Sequence, residues 1–283
     1  MNGHDGGTCD PSAHPLLDVE SVDLLEPFLD GVGNVFQAFR EQDSGCVSYG
    51  VAVDGERWFV KSATTPAGVA SLRRALAVHR AVRHPAIVPL RHSFRIRGGL
   101  ALVYLWVDGT VLYHPTVSAH GGRTAWDSPM ARFHRLPLPQ VLAAVNQILD
   151  AHLAVEQAGF VAVDFYDGCM LYDFTTGRLA LCDVDEYRPG PFTLTTDRLP
   201  GSRRYMAPEE FRQGATIEIR TTVYVLGRAL RLLLDAGDQE QQWRGTAGQL
   251  AVTARATAHD PGQRYATVAA LTHASRATTI TAG

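Results

Sequence analysis

Residues 57–63, RWFVKSA, contain the only lysine in a chain of 283 residues with 26 Lys+Arg. Every other basic position is an arginine. A composition bias that converts exchangeable lysines to arginine leaves Lys61 where a compact point charge is needed, because a planar guanidinium does not replace an ammonium. The stretch reads as a strand, and its neighbours extend the pattern. Upstream lie VFQAF (35–39), CVSYGVAV (46–53) and a turn at Asp54-Gly55, so apolar and β-branched alternation around an aspartate-glycine pair reads as a β-meander. Downstream, residues 67–82 place Val69, Leu72, Leu76, Val78 and Val82 near one helical face. HPAIVPLRHSFRIRGGLALVYLWVDG (84–109) adds two strands around Gly98-Gly99. Five strands and one helix within the first 108 residues make a small α+β lobe.

Beyond it the character changes. Residues 110–136 form a long connection without clear periodicity, with Trp126, Met130 and Phe133 available to cover a substrate. PLPQVLAAVNQILDAHLAVEQAG (137–159, with Gly159 as the stop) is a helix that starts on proline. Hairpin-like runs FVAVDF, CMLYDF and RLALCDV follow, and the chain from Pro208 onward reads as mainly helical. The expected division is a flexible arm over 1–20, a β-rich lobe over 21–108, a helical lobe over 109–276 and a fraying tail over 277–283.

The bulk numbers exclude several classes. A net charge of −3 exerts no global pull toward nucleic acid or an anionic membrane. Cys9, Cys46, Cys169 and Cys182 form no CxxC pair, and the 11 histidines are scattered, so a metal site built from Cys and His is not expected. No apolar run has membrane-spanning length, and the first residues lack the basic and apolar regions of a signal peptide. The expectation is a cytoplasmic protein with reduced thiols and no membrane or nucleic-acid partner.

Eight short stretches then occur in a recognisable order: WFVK, RHPAIVPL, LVYLWVDG, GFVAVDFYDGCML, LALCDVD, GSRRYMAPEEF, TTVYVLGRAL and DPGQRYAT. Together they resemble the landmarks of eukaryotic-type Ser/Thr protein kinases over residues 35–275, nearly the whole chain. YMAPEE is the most specific of them. The resemblance implies a bilobal kinase-like α+β fold that binds ATP and a divalent cation, Mg²⁺ or Mn²⁺, between its lobes. Lys61 would hold the α- and β-phosphates, and Gly45 would be the last glycine of the phosphate-covering loop. The backbone at Leu105 and Val107 would meet adenine. Asp164 would orient the acceptor hydroxyl and take its proton, while Asp183 would bind metal. Glu209 and Arg264 would form a buried salt bridge behind the activation segment.

The departures are as informative. The glycine-rich loop reads Arg40-Glu41-Gln42-Asp43-Ser44-Gly45, so the backbone cannot cover phosphates as closely. The helix glutamate that pairs with the strand lysine falls on Ala75. The catalytic-loop His-Arg-Asp is Ala162-Val163-Asp164, its metal-binding asparagine is Cys169, the DFG glycine is Asp185, and the central-helix aspartate is Thr222. Asp185 or Asp167 would complete the metal site, since Mg²⁺ takes hard oxygen ligands; alternatively both are solvated loop aspartates or caps. Only 37 residues separate Gly227 from Arg264 (264 less 227), which shortens the region where protein substrates dock. The leading expectation is phosphoryl transfer from ATP to a hydroxyl on a protein or small molecule. The rivals are a pseudokinase acting as a nucleotide-binding or scaffold module, favoured by the lost glycines, Ala75 and Cys169, and a small-molecule kinase, favoured by the shortened docking region.

Overall fold

A computed structural model describes residues 14–40, 45–113, 122–237 and 239–278. The chain divides into two compact units: Met1–Leu72 with Pro89–Trp106, and Arg73–Val88 with Val107–Gly283. The fold class is α+β, as the sequence implies.

The first unit is built on one mixed sheet. Its strands are β1 (Ser21–Val22), β2 (Asn34–Phe39), β3 (Val47–Val53), β4 (Glu56–Ala63), β5 (Leu90–Ile96) and β6 (Gly99–Leu105). They lie in the order β1-β5-β6-β4-β3-β2. Only β1 and β5 pair in parallel. The β3–β4 turn uses Asp54 at φ 51° and Gly55 at φ 83°, the doubly left-handed geometry that matches strand twist, and it sets Val53 opposite Glu56. One face of the sheet packs Tyr49, Val51, Trp58, Val60, Phe94 and Val103 against Leu25 and Leu29 of helix α1 (Leu25–Val32). Each fully buried side chain of this size contributes about 1.5–3 kcal/mol. Leu16, in the stretch expected to be an arm, is fully buried in the same core. β1 and α1 were not anticipated, because two residues show no alternation and eight give barely two helical turns.

Helix α2 (Pro66–Ala81) begins in the first unit and, from Arg73 on, belongs to the second. Its buried stripe, Leu72, Ala75, Val78 and His79, follows the 3.6-residue repeat.

The second unit contains β7 (Thr110–Val111), α3 (Pro129–His134), α4 (Leu138–Gln157), β8 (Phe160–Val161), β9 (Met170–Asp173), β10 (Arg178–Leu181), β11 (Arg188–Pro189), β12 (Phe192–Thr193) and β13 (Thr216–Ile217). Helices α5 (Ile219–Leu233), α6 (Ala247–Ala256) and α7 (Val268–Ala277) complete it. α4 and α5 bring Val145, Ile148, Leu149, Leu226, Leu230 and Leu233 into the core. Gly227 allows α5 and α6 to touch: a Cβ there would lie 2.6 Å from the Ala256 Cβ.

The connection over 110–136 differs from expectation. Ser128 caps α3 by accepting from the Ala131 N–H at 3.1 Å. Met130 (2% exposed) and Phe133 (0%) are core residues, and only Trp126, 80% exposed, faces solvent. Six helical residues are too few for a readable period, so an apolar stripe looked like a free surface. Among the described residues no helix is long and apolar enough to cross a membrane.

Candidate functional site

In the second unit, β8 delivers the chain to Asp164 and β10 delivers it to Asp183. Both aspartates adopt left-handed backbone, φ 60° and 59°, a conformation that costs a non-glycine residue on the order of 1–2 kcal/mol. Among the described residues the other non-glycine cases are Asp54 and Glu240. Such strain persists only where the surroundings over-determine it, and the bonds that do so here are identifiable. The Ala162 N–H donates to Thr222 Oγ1 of α5 at 3.0 Å. The Cys169 thiol donates to the Asp164 carbonyl at 3.3 Å. The Cys182 N–H then donates to the Cys169 carbonyl at 3.0 Å, which ties the approach to Asp183 to the loop of Asp164. Burial pushes the Cys169 thiol well up, and the Asp183 and Asp164 charges push the same way, so it stays protonated and donates. Thr222 thus supplies the acceptor where the kinase resemblance has an aspartate.

The stretch GSRRYMAPEEF meets this loop. Gly201 has φ 141°, and a Cβ built on it would lie 3.5 Å from Asp164 Oδ1 and 3.2 Å from the Met206 Cγ and Sδ. Behind it, Arg264 grips Glu209 with two bonds of 2.6 and 2.8 Å, and Thr221 adds a third at 2.8 Å. This is the buried pair that the resemblance implied. Burial alone would raise the Glu209 carboxyl, but the Arg264 hydrogen bonds and charge outweigh it and hold the group below its ordinary range. Its neighbour Glu210 behaves oppositely. Burial lifts it to about 8, the Glu209 and Asp164 charges add to the rise, and the bond from the Ala207 N–H and the Arg264 charge oppose it without prevailing.

The carboxylates expected to complete a metal site are differently occupied. Asp167 is 1% exposed, and Arg123 takes both its oxygens, Nε to Oδ2 at 2.5 Å and Nη2 to Oδ1 at 2.9 Å. The guanidinium lies 3.5 Å from the Tyr113 ring centroid. Asp167 is therefore neither a metal ligand in this arrangement nor a solvated loop aspartate. Asp185 is also buried, at 4% exposure. Its carbonyl accepts from Arg74 Nε of α2 at 3.0 Å, and Arg74 also pairs with the Glu186 carboxylate. Ala75, where a glutamate was expected, is fully buried. Among the described residues no three His, Cys, Asp or Glu side chains gather as a metal cage. Asp183 nonetheless fits Mg²⁺ chemically, because that ion is commonly held by one carboxylate together with substrate phosphates.

In the first unit, Lys61 lies near the C-terminal end of β4, 7% exposed, opposite Ser48 of β3 and Leu102 of β6. Cross-strand partners share a face. Lys61 therefore shares its face with Phe59, Gly50 and Tyr104, while the core described above lies on the other. Phe59 lies 6.3 Å from Tyr104 and 6.4 Å from Trp106. Phe36 meets Trp106 edge-on at 4.9 Å, above Gly50, where a Cβ would fall 2.6 Å from the Phe36 ring. Leu105 stands opposite Trp58 at the end of β6, and Val107 begins the next stretch of the second unit. Gly45 has φ 69°; residues 41–44 of the expected phosphate loop lie outside the described residues.

Sequence reasoning missed Arg123 and Arg74. Nothing marks one arginine among many as the partner of a carboxylate 44 or 112 residues away. The aromatic face was legible in principle, since Phe59 and Lys61 are two apart on a strand. No protein-family model matches the chain, and no curated protein matches it.

Proposed function

We propose that the chain is an ATP-dependent phosphotransferase with a bilobal kinase-like architecture, acting on a hydroxyl acceptor. The observation that carries this reading is the backbone at Asp164 and Asp183. The two aspartates singled out by the resemblance are both held left-handed, and their loops are cross-tied through Cys169 and Cys182. Strain of this kind collects at functional sites.

In this reading Lys61 neutralises the α- and β-phosphates of ATP. Asp183 offers its carboxylate to Mg²⁺, which when bound neutralises charge on the phosphate oxygens. Asp164 receives the acceptor's proton and aims its oxygen, with Gly201 leaving the approach beside Oδ1 free of a side chain. Positioning and charge neutralisation carry most of the barrier lowering. A second reading, a nucleotide-binding module without turnover, is favoured by one observation: the Cys169 thiol, where the family holds metal through an amide, is spent on the Asp164 carbonyl.

The test is calorimetric titration of ATP with Mg²⁺, with Mn²⁺ and with chelator, on the wild type, Lys61→Ala and Asp183→Asn, followed by an ATP-consumption assay. Metal-dependent binding lost in both variants supports the reading. Absence of binding under every condition sinks it, and binding without consumption selects the second reading.

A further inference from the structure

We infer that the hydroxyl acceptor is anionic, a serine or threonine flanked by carboxylates in an acidic peptide segment, recognised by Arg203 and Arg212. The inference deepens the phosphotransfer reading and rests on it for the identity of Asp164 as the acceptor's proton site.

Gly201 fixes where the chain passes Asp164, with a Cβ position 3.5 Å from Oδ1. Arg203 is two residues further on, so its Cα lies within about 7 Å of that point. Its side chain is exposed, with the guanidinium 5.9 Å from the ring centroid of Phe211, itself 39% exposed. Arg212 is exposed beside Phe211. Between residues 200 and 213 the only carboxylates are Glu209 and Glu210, and these are 4% and 1% exposed. Glu209 is committed to Arg264 and Thr221, and Glu210 to the Ala207 N–H. Arg204, half-buried, sits in the field of Glu240, which reduces its reach toward a ligand. The stretch from 200 to 213 therefore exposes two arginines and an aromatic ring and no carboxylate of its own. Arg203 lies on the side of Phe211, while Arg212 lines a neighbouring surface cleft with Glu218, whose carboxylate is paired with Arg220 at 2.9 Å. Guanidinium groups in such a setting select carboxylate or phosphate. The transfer balances simply. The acceptor oxygen bonds to the γ-phosphorus, the bond from that phosphorus to the β,γ-bridging oxygen breaks, ADP leaves with the electron pair, and the acceptor's proton passes to Asp164.

The experiment measures binding of fluorescein-labelled serine peptides of equal length with acidic, neutral or basic flanks by anisotropy, at low and high salt. It uses the wild type, Arg203→Glu and Arg212→Glu, with melting curves as a check of folding and calorimetric MgATP titration alongside. The expected result is roughly tenfold tighter binding of the acidic peptide than the neutral one, weakened by salt and lost in Arg203→Glu. A wild type that binds all three peptides alike, or prefers the basic one, overturns the inference, as does a folded Arg203→Glu, Arg212→Glu double variant that keeps the acidic preference. Free glutamate and phosphoserine as competitors separate a peptide from a small anion, and displacement by either alone at equal strength also overturns it. The MgATP titration reports separately. Acidic selection without ATP binding leaves the recognition surface standing and removes the phosphotransfer reading, while ATP binding without acidic selection does the reverse.

Discussion

Gly201 stands against Asp164 so closely that a Cβ on the glycine would rest 3.5 Å from the aspartate's Oδ1. A residue of the GSRRY stretch thereby reaches the strained loop that carries Asp164, 37 positions earlier in the chain (201 less 164). Two constraints meet at this glycine. Its φ of 141° is one that L side chains avoid, and Met206 closes the remaining space to 3.2 Å. Gly201→Ala should cost about 1–3 kcal/mol of stability and move the Asp164 carboxylate. Urea denaturation gives the first. A fall in any transfer rate larger than the fall in nucleotide affinity reports the second.

The Arg123–Asp167 pair binds the long connection to the Asp164 loop. Arg123→Ala leaves a 1%-exposed carboxylate without its cation and should destabilise the fold by about 3 kcal/mol. Asp167→Asn keeps one acceptor and should cost less. Since Asp167 is committed to Arg123, Asp167→Asn should also leave Mn²⁺ affinity of the nucleotide complex unchanged, whereas Asp183→Asn should abolish it. Equal losses in the two variants would restore Asp167 as a ligand.

Glu209 and Glu210 give opposite pH signatures. Glu210 is raised from 4.5 to about 8, so the folded chain keeps a proton that the unfolded chain releases. Its contribution is complete below the unfolded value and disappears as pH climbs toward 8. Glu209 is depressed, so its contribution is present above about 4.5 and is lost as pH falls through the folded value. The melting temperature of Glu210→Gln should therefore gain on the wild type steadily between pH 5 and 8, by an amount equivalent to at least about 1 kcal/mol. Glu209→Gln should lose most of its deficit only in acid. A flat difference for Glu210→Gln across that window would contradict the buried, protonated carboxyl.

Thr222 holds the Ala162 N–H from inside the core. Thr222→Val removes that acceptor without changing shape and leaves a buried donor unsatisfied, at a cost of about 1–3 kcal/mol. Thr222→Ser should retain most of the stability. Hydrogen exchange at the Ala162 amide, fast in the valine variant and protected in the serine variant, distinguishes loss of this bond from general loosening.

Much of the fold was legible because it is encoded locally. Alternation about Asp54-Gly55 and Gly98-Gly99 identified five strands of the first unit, the 3.6-residue repeat identified α2, and a proline start with the stop at Gly159 identified α4. The Glu209–Arg264 pair was anticipated from resemblance. What stayed hidden has physical reasons. α3 is too short for a period to declare itself, so Met130 and Phe133 looked free when they are core. β1 has two residues and exists because β5 offers it a parallel edge. Leu16 is held by partners that arrive from distant strands.

The sequence by itself determined which residues could do chemistry here: a single lysine on a strand, Asp164 and Asp183 at strand ends, and YMAPEE between them and the last helices. Residue type and spacing are properties of the chain alone. Only the tertiary structure decided which of these groups remain available. It gave Asp167 to Arg123, buried Asp185, turned Cys169 onto the Asp164 carbonyl, and brought Gly201 beside Asp164. Pairing and desolvation depend on neighbours that the chain delivers from tens of residues away, and no local pattern carries that information.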